Sequence, residues 1–174
     1  MRKVEIIPYN KDWLLMYEEE AEKLRKIFGS EIIEIYHIGS TSVEGLIAKP
    51  VIDIMPVVRD VNQIDDFNIA MIGIGYEPKG ENGLPGRRFF QKGGDERTHH
   101  IHFYGIDDTE IERHLAFRNY LRTHPDAVKK YGSLKKELSQ CFPNDIEAYI
   151  RGKEKLVSEI ETKAMNWYQD SSRY

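Results

Sequence analysis

The sequence predicts a single α+β domain over residues 1–174, and three observations support that class. Apolar runs rich in β-branched residues concentrate in residues 1–105, whereas residues 106–170 carry apolar positions at helical spacing. Between the two strongest strand candidates, the stretch 37–55 joins a Gly/Ser/Thr turn to an apolar run holding one aspartate. Strands followed by helices predict a mixed sheet with flanking helices and a C-terminal three-helix segment packed on it. A length of 174 residues suits one domain of about 150 residues. Such a chain buries about two-thirds of its unfolded surface, so no disulfide or structural metal is needed to hold its core.

Each element has its own signal. Val4–Ile7 reads as a short strand. Asn10 is a candidate N-cap for a helix in which Trp13, Leu14, Tyr17, Ala21, Leu24 and Phe28 form the apolar stripe and Gly29 is the stop. The run Glu18-Glu19-Glu20 is expected mostly on its outer face. Ile32–Ile38 is a strand, and Val51–Val58 a central one, apolar on both faces. Pro56 has no N–H to donate and is expected to end or bulge the pairing. Val61–Ile72 is a helix closed by Gly73 and Gly75, and residues 78–86 are a loop dense in Gly and Pro. Arg87–Lys92 and Thr98–Tyr104 form a hairpin about Gly93-Gly94-Asp95. Helices follow from about Asp108 to Arg122, from Pro125 along a stripe of Val128, Tyr131, Leu134 and Leu138, and from a capping box at Asn144 and Glu147. The last is expected to bury Ile146, Tyr149, Ile150, Leu156, Val157, Ile160 and Trp167. The tail 171–174 is expected to be mobile.

Composition narrows the function classes. The formal net charge is -4, from 29 acidic and 25 basic residues, which is not the footprint of a general nucleic-acid binder. The lone cysteine, Cys141, can form no intrachain disulfide, which fits a reducing cytoplasm. Its setting near a helix end reads as a buried structural thiol. Residues 1–6 lack the apolar run of a signal peptide, and no stretch approaches the ~20 apolar residues of a membrane span.

Four groups of residues bear on chemistry. Asp53 lies within an apolar strand, where an unpaired carboxylate is costly, so it should meet a metal, a cation or hydrogen-bond donors. A structural ion pair is the plain alternative. In the turn before it, Gly39 lets the backbone approach a ligand, and the amides and hydroxyls of Ser40, Thr41 and Ser42 suit a phosphate. An ordinary strand connection is the commoner use of such a turn. In Thr98-His99-His100-Ile101-His102, strand alternation puts His100 and His102 on one face and His99 on the other. Two imidazoles and a carboxylate form a known metal triad, though histidines in a polar cleft often only hydrogen-bond. Arg118 and Lys153 fall on stripes that should face inward, and Arg87, Lys92 and Arg97 flank the hairpin. Converging, they would make an anion pocket; singly, such side chains are usually solvated.

In this order the motifs resemble the GrpB (glutamate-rich protein B) family, which also occurs as the C-terminal domain of some dephospho-CoA kinases. The resemblance covers nearly the whole chain. It takes in Val4–Tyr9, Trp13, residues 37–46, Lys49-Pro-Val-Ile-Asp-Ile54, 81–87, 97–102, 113–122, His124-Pro125, Phe142-Pro143, Tyr149 and Lys153. It implies a nucleotidyltransferase-like fold. In that superfamily a Gly-Ser turn precedes a strand bearing two carboxylates one residue apart, and a later strand adds a third. Together these hold two divalent ions that clamp nucleotide phosphates. Gly39 and Ser40 match the turn and Asp53 the first carboxylate. Met55 stands at the second position, and His100 and His102 replace the third.

The resemblance therefore implies a nucleotidyltransferase-like protein for a nucleotide or small phosphorylated substrate. Asp53, His100 and His102 would be its catalytic and metal residues. Gly39, Ser40, Thr41, Lys49, Arg87, Arg118 and Lys153 would hold phosphate. The cofactor would be a divalent metal, Mg²⁺, Mn²⁺ or Zn²⁺, and one carboxylate with two imidazoles suits Zn²⁺, Fe²⁺ or Mn²⁺ better than Mg²⁺. The alternative is a non-catalytic nucleotide- or CoA-related binding module that has lost the second metal carboxylate. On that reading Met55→Asp is expected not to harm the fold grossly. A histidine-based metallohydrolase is a third reading.

Overall fold

Five strands pair in the order β1-β2-β5-β4-β3. They are β1 (Ile32–Ile38), β2 (Ile52–Val58), β3 (Tyr76–Pro78), β4 (Arg87–Lys92) and β5 (His99–Gly105). The β2–β5 pair is parallel and the other three are antiparallel, so the sheet is mixed, as expected. The computed structural model describes residues 2–171. Its contacts group into two units: residues 11–38 with 51–111, and residues 1–10, 39–50 and 112–174.

The first unit holds the sheet, helix α1 (Asp12–Phe28) and the short helix α2 (Asn68–Gly73). α1 buries Trp13, Ala21, Leu24 and Phe28, and the Phe28 ring lies 4.9 Å from Phe103 on β5. Burial of each such large side chain stabilises the fold by about 1.5–3 kcal/mol. Two expectations for this helix are corrected, and a third holds in the main, with Glu18 and Glu19 exposed. Its N-cap position is Lys11, not Asn10. Leu14 is 50% exposed, because it sits beside the buried stripe rather than on it. Glu20 of that acidic run is buried: it stands two turns after Trp13 and one turn before Leu24.

β2 runs on through Pro56 to Val58. Pro56 pairs with Ile35, and the β2–β5 register is the same on either side of it, with Ile54 opposite Ile101 and Val57 opposite Tyr104. On the β1 side the register does shift, between Ile32 and Glu34 opposite Val58 and Val57, so the irregularity expected near Pro56 is present there while the β2–β5 ladder keeps its register. The expected helix 61–72 is instead a 3₁₀ stretch, Val61–Phe67, followed by α2. Asp60 caps that stretch by accepting from the Asn62 amide at 3.0 Å, and the Asn and Asp residues within it are weak formers of a regular α-helix. The short edge strand β3 has no sequence signal of its own, and its Pro78 suits an edge.

The second unit holds most of α3 (Thr109–Thr123), then α4 (Pro125–Cys141) and α5 (Ile146–Ser171). It also takes in segments from the first third of the chain. Val43 and Leu46 are core residues alongside Leu121, Tyr131 and Ile160. The expected strand at Val4–Ile7 reduces to one bridge, Ile7 to Ala48, while the Val4 amide donates to the Pro143 carbonyl at 2.9 Å. α4 and α5 approach so closely at Gly152 that a Cβ there would lie 2.5 Å from a Leu138 methyl. Asp145, one residue past the expected Asn144, caps α5 by accepting from the Ala148 amide at 3.1 Å. Ile150 is 42% exposed, off the buried stripe. Cys141 is exposed rather than buried, being the last residue of α4. α5 extends through Ser171, and residues 172–174 of the expected mobile tail lie outside the described residues. Among the described residues no helix is long and apolar enough to cross a membrane.

Candidate functional site

Parallel pairing of β2 with β5 sets Asp53 opposite His100, and alternation along β5 brings His102 to the same face. Asp53 Oδ1 lies 3.0 Å from His102 Nε2 and 3.5 Å from His100 Nδ1. All three side chains are partly buried, with Asp53 27% exposed. Burial disfavours the Asp53 carboxylate, but hydrogen bonding to His100 and His102, together with their charge, outweighs it. The carboxyl is therefore held far below the usual range. Phe89 of β4, opposite His102, packs its ring 5.3 Å from His100 and 5.2 Å from His102. Met55, one period along β2 from Asp53, is fully buried.

The other face of the sheet carries a polar cluster that the acidic run on α1 concealed. Glu20 accepts from the Tyr76 hydroxyl at 2.7 Å and pairs with Lys92 at 3.0 Å and Lys23 at 2.9 Å. Burial alone would raise the Glu20 pKa, but these three donors bring it down to about 2. His99 points to this face, edge-on to Tyr76, and burial lowers its pKa to about 4.

In the second unit, Gly39 (φ 72°) opens a 3₁₀ turn over Ser40–Ser42. The Ser42 and Val43 amides are used inside the turn, on the Gly39 and Ser40 carbonyls, and Thr41 is buried. Two residues absent from the sequence-derived set hold this turn. Lys135 of α4, only 2% exposed, donates to the Ser40 hydroxyl and to the Ile47 carbonyl at 3.2 Å. Its ammonium also sits 4.4 Å from the centre of the Tyr131 ring. Arg122 donates to the Ser42 carbonyl at 2.9 Å. Lys135 had a signal: it lies four residues after Tyr131 and three before Leu138, on the apolar stripe of α4.

The remaining cations are distributed. Lys49 and Lys153 approach the buried Tyr149 ring at 5.6 and 4.8 Å, and burial, with a smaller effect of Tyr131, raises the Tyr149 pKa. Arg118 hydrogen-bonds its neighbour Asn119 at 2.9 Å. Arg87, in the sheet unit, is tied to the Glu81 and Asn82 carbonyls at 3.2 and 2.8 Å and lies 4.9 Å from the Phe89 ring.

These strands and helices define a nucleotidyltransferase-like fold. A structure of Cid1 in complex with the UTP analog UMPNPP matches with a TM-score of 0.53 at 14% identity, over 77% of this chain and 43% of that one. The chain itself belongs to the GrpB protein family, whose family model matches residues 3–163. The crystal structure of conserved protein GrpB from Enterococcus faecalis superposes with a TM-score of 0.92 at 43% identity, covering 95% of this chain and 99% of that one. UPF0157 protein YqkA of Bacillus subtilis is 50% identical over 166 residues; they cover 95% of this chain but 48% of YqkA, so the chain spans about half of that relative. A dephospho-CoA kinase of Mycolicibacterium paratuberculosis is 22% identical over 94% of this chain and 46% of its own length.

Proposed function

We propose that the protein binds a nucleotide or another small phosphorylated molecule through the Gly39–Thr41 turn and its lysines, in the cytoplasm. On this reading Lys49, Arg118 and Lys153 supply further positive charge within the unit that holds the turn; in the sheet unit, taken by itself, Arg87 adds positive charge and Asp53, His100 and His102 form an ion-binding group. The observation that carries the proposal is Lys135. Its ammonium is buried and donates directly to the Ser40 hydroxyl of the turn. A phosphate oxygen is a stronger, charge-assisted acceptor for the same donor. The dephospho-CoA kinase similarity and the UTP-analog complex of Cid1 agree with a nucleotide-related ligand. The test is equilibrium binding of the four ribonucleoside triphosphates and dephospho-CoA by the protein, Ser40→Ala and Lys135→Met. Loss of binding in both folded variants is the expected result, and unchanged affinity in both would overturn the reading.

The burial of Met55 favours binding without nucleotidyl transfer. A thioether in the core does not supply the second hard oxygen ligand that a two-metal transferase uses. This version predicts ligand binding with no product, and metal-dependent product formation by the unmodified protein would rule it out.

A further inference from the structure

The fold family implies two Mg²⁺ ions held by three carboxylates, and the residues present do not fit that arrangement. Only Asp53 offers carboxylate oxygens at the centre. The next position on its face is the fully buried Met55, and the later strand presents His100 and His102. Glu77 shares this face, but it lies on edge strand β3, where Gln91 donates to it at 3.1 Å and Lys79 pairs with it at 2.9 Å. Among the described residues, the one cluster of three or more His, Cys, Asp or Glu side chains placed to share an ion is Asp53, His100 and His102. Their ligand atoms all lie within 4.8 Å of one another.

We infer that these three residues form a mononuclear site for a borderline first-row ion, of the Zn²⁺, Fe²⁺ or Co²⁺ type, that discriminates against Mg²⁺. The inference rests on reading this group as an ion site and adds the identity and number of the ion. With bonds of about 2.1 Å, tetrahedral ligand atoms stand roughly 3.4 Å apart. The observed 3.0 and 3.5 Å separations of Asp53 Oδ1 from His102 Nε2 and His100 Nδ1 need little adjustment. His100 would ligate through Nδ1 and His102 through Nε2. The Nε2 atom of His100 is buried with no hydrogen-bond partner, which leaves Nδ1 as the atom directed at the shared centre. The Phe89 ring against both imidazoles restrains their rotation. Two imidazoles and one carboxylate suit these ions, whereas Mg²⁺ prefers an octahedron of oxygens. Three protein ligands leave positions open for water or a phosphate oxygen.

The experiment is calorimetric titration of chelator-treated protein with Zn²⁺, Co²⁺ and Mg²⁺, together with the visible absorption of the Co²⁺ form. The variants are Asp53→Asn, His100→Gln and His102→Gln, each checked for folding by circular dichroism, with Glu77→Gln as the control on the same face. One Zn²⁺ or Co²⁺ per chain is expected, with Co²⁺ bands showing imidazole ligation. Folded ligand variants should lose on the order of 100-fold in affinity or more, and Glu77→Gln none. Mg²⁺ binding tighter than Zn²⁺, or two ions per chain, would overturn the inference while sparing the ion site. No binding of any ion would overturn both. Neither outcome bears on nucleotide binding at Ser40 and Lys135, which is measured separately.

Discussion

Lys135 and Ser40 stand 95 positions apart in the chain, yet the lysine ammonium donates to the serine hydroxyl from a site only 2% exposed. Removing one partner of a buried polar pair costs more than the pair contributes, because the other group stays desolvated. Ser40→Ala is therefore expected to destabilise the protein by about 1–3 kcal/mol. Lys135→Met, which removes the charge with similar volume, should cost less. Urea denaturation of both variants checks the order, and equal losses would contradict it.

The Glu20 cluster predicts a pH dependence. The folded-state pKa of Glu20 is about 2, below the ordinary 4.5, so the unfolded chain binds the proton first as pH falls. Its contribution is fully present above about pH 5 and is lost as the pH drops through about 2. A shift of this size corresponds to about 3 kcal/mol at neutral pH. Glu20→Gln should be less stable at pH 7 and should show a flatter stability profile between pH 5 and 2. A variant profile parallel to the parent would remove Glu20 as the cause.

Met55→Asp tests the second metal-ligand position directly. Residue 55 is fully buried, which runs against the expectation that a carboxylate there does no gross harm to the fold. Burying an unpaired carboxylate should cost more than about 4 kcal/mol. Thermal unfolding should show a large fall in Tm, and a Tm within a few degrees of the parent would contradict the burial.

Gly93 holds φ 103° in the β4–β5 hairpin, and a Cβ there would sit 2.4 Å from the Glu96 carbonyl oxygen. Both the backbone conformation and the clash oppose a side chain, so Gly93→Ala should destabilise by about 1–3 kcal/mol. Because this hairpin carries His100 and His102, hydrogen exchange of β5 amides should quicken in the variant. Unchanged exchange would show that the turn does not support the strand.

Cys141 is exposed at the end of α4. It should react completely with a thiol reagent in native buffer, at a rate close to that of the unfolded protein. A thiol that reacts only in denaturant would restore the buried reading.

Much of this protein was legible from local patterns. Four of the five strands follow from apolar or alternating runs bounded by Gly and Pro, because strand period and turn residues are local properties. The helices after residue 108 follow from spacing and from Pro125. The face shared by His100 and His102, and the opposite face of His99, follow from alternation alone. What failed was of another kind. Tyr76–Pro78 becomes a strand only because β4 pairs with it, and Val4–Ile7 lacks a strand partner beyond one bridge. Leu14 and Ile150 look like core residues until their neighbours are known.

By itself the sequence determined the α+β class, the family, the Gly-Ser turn and the candidate ligands Asp53, His100 and His102. Those depend on residue type and short-range period. Only the tertiary structure decided which of those groups meet. The parallel β2–β5 register brings Asp53 to the histidines, α4 delivers Lys135 to Ser40, and Met55, already no metal ligand by residue type, is packed into the core. Such pairings join segments far apart in the chain, and their energy comes from burial and desolvation, which no local window of residues contains.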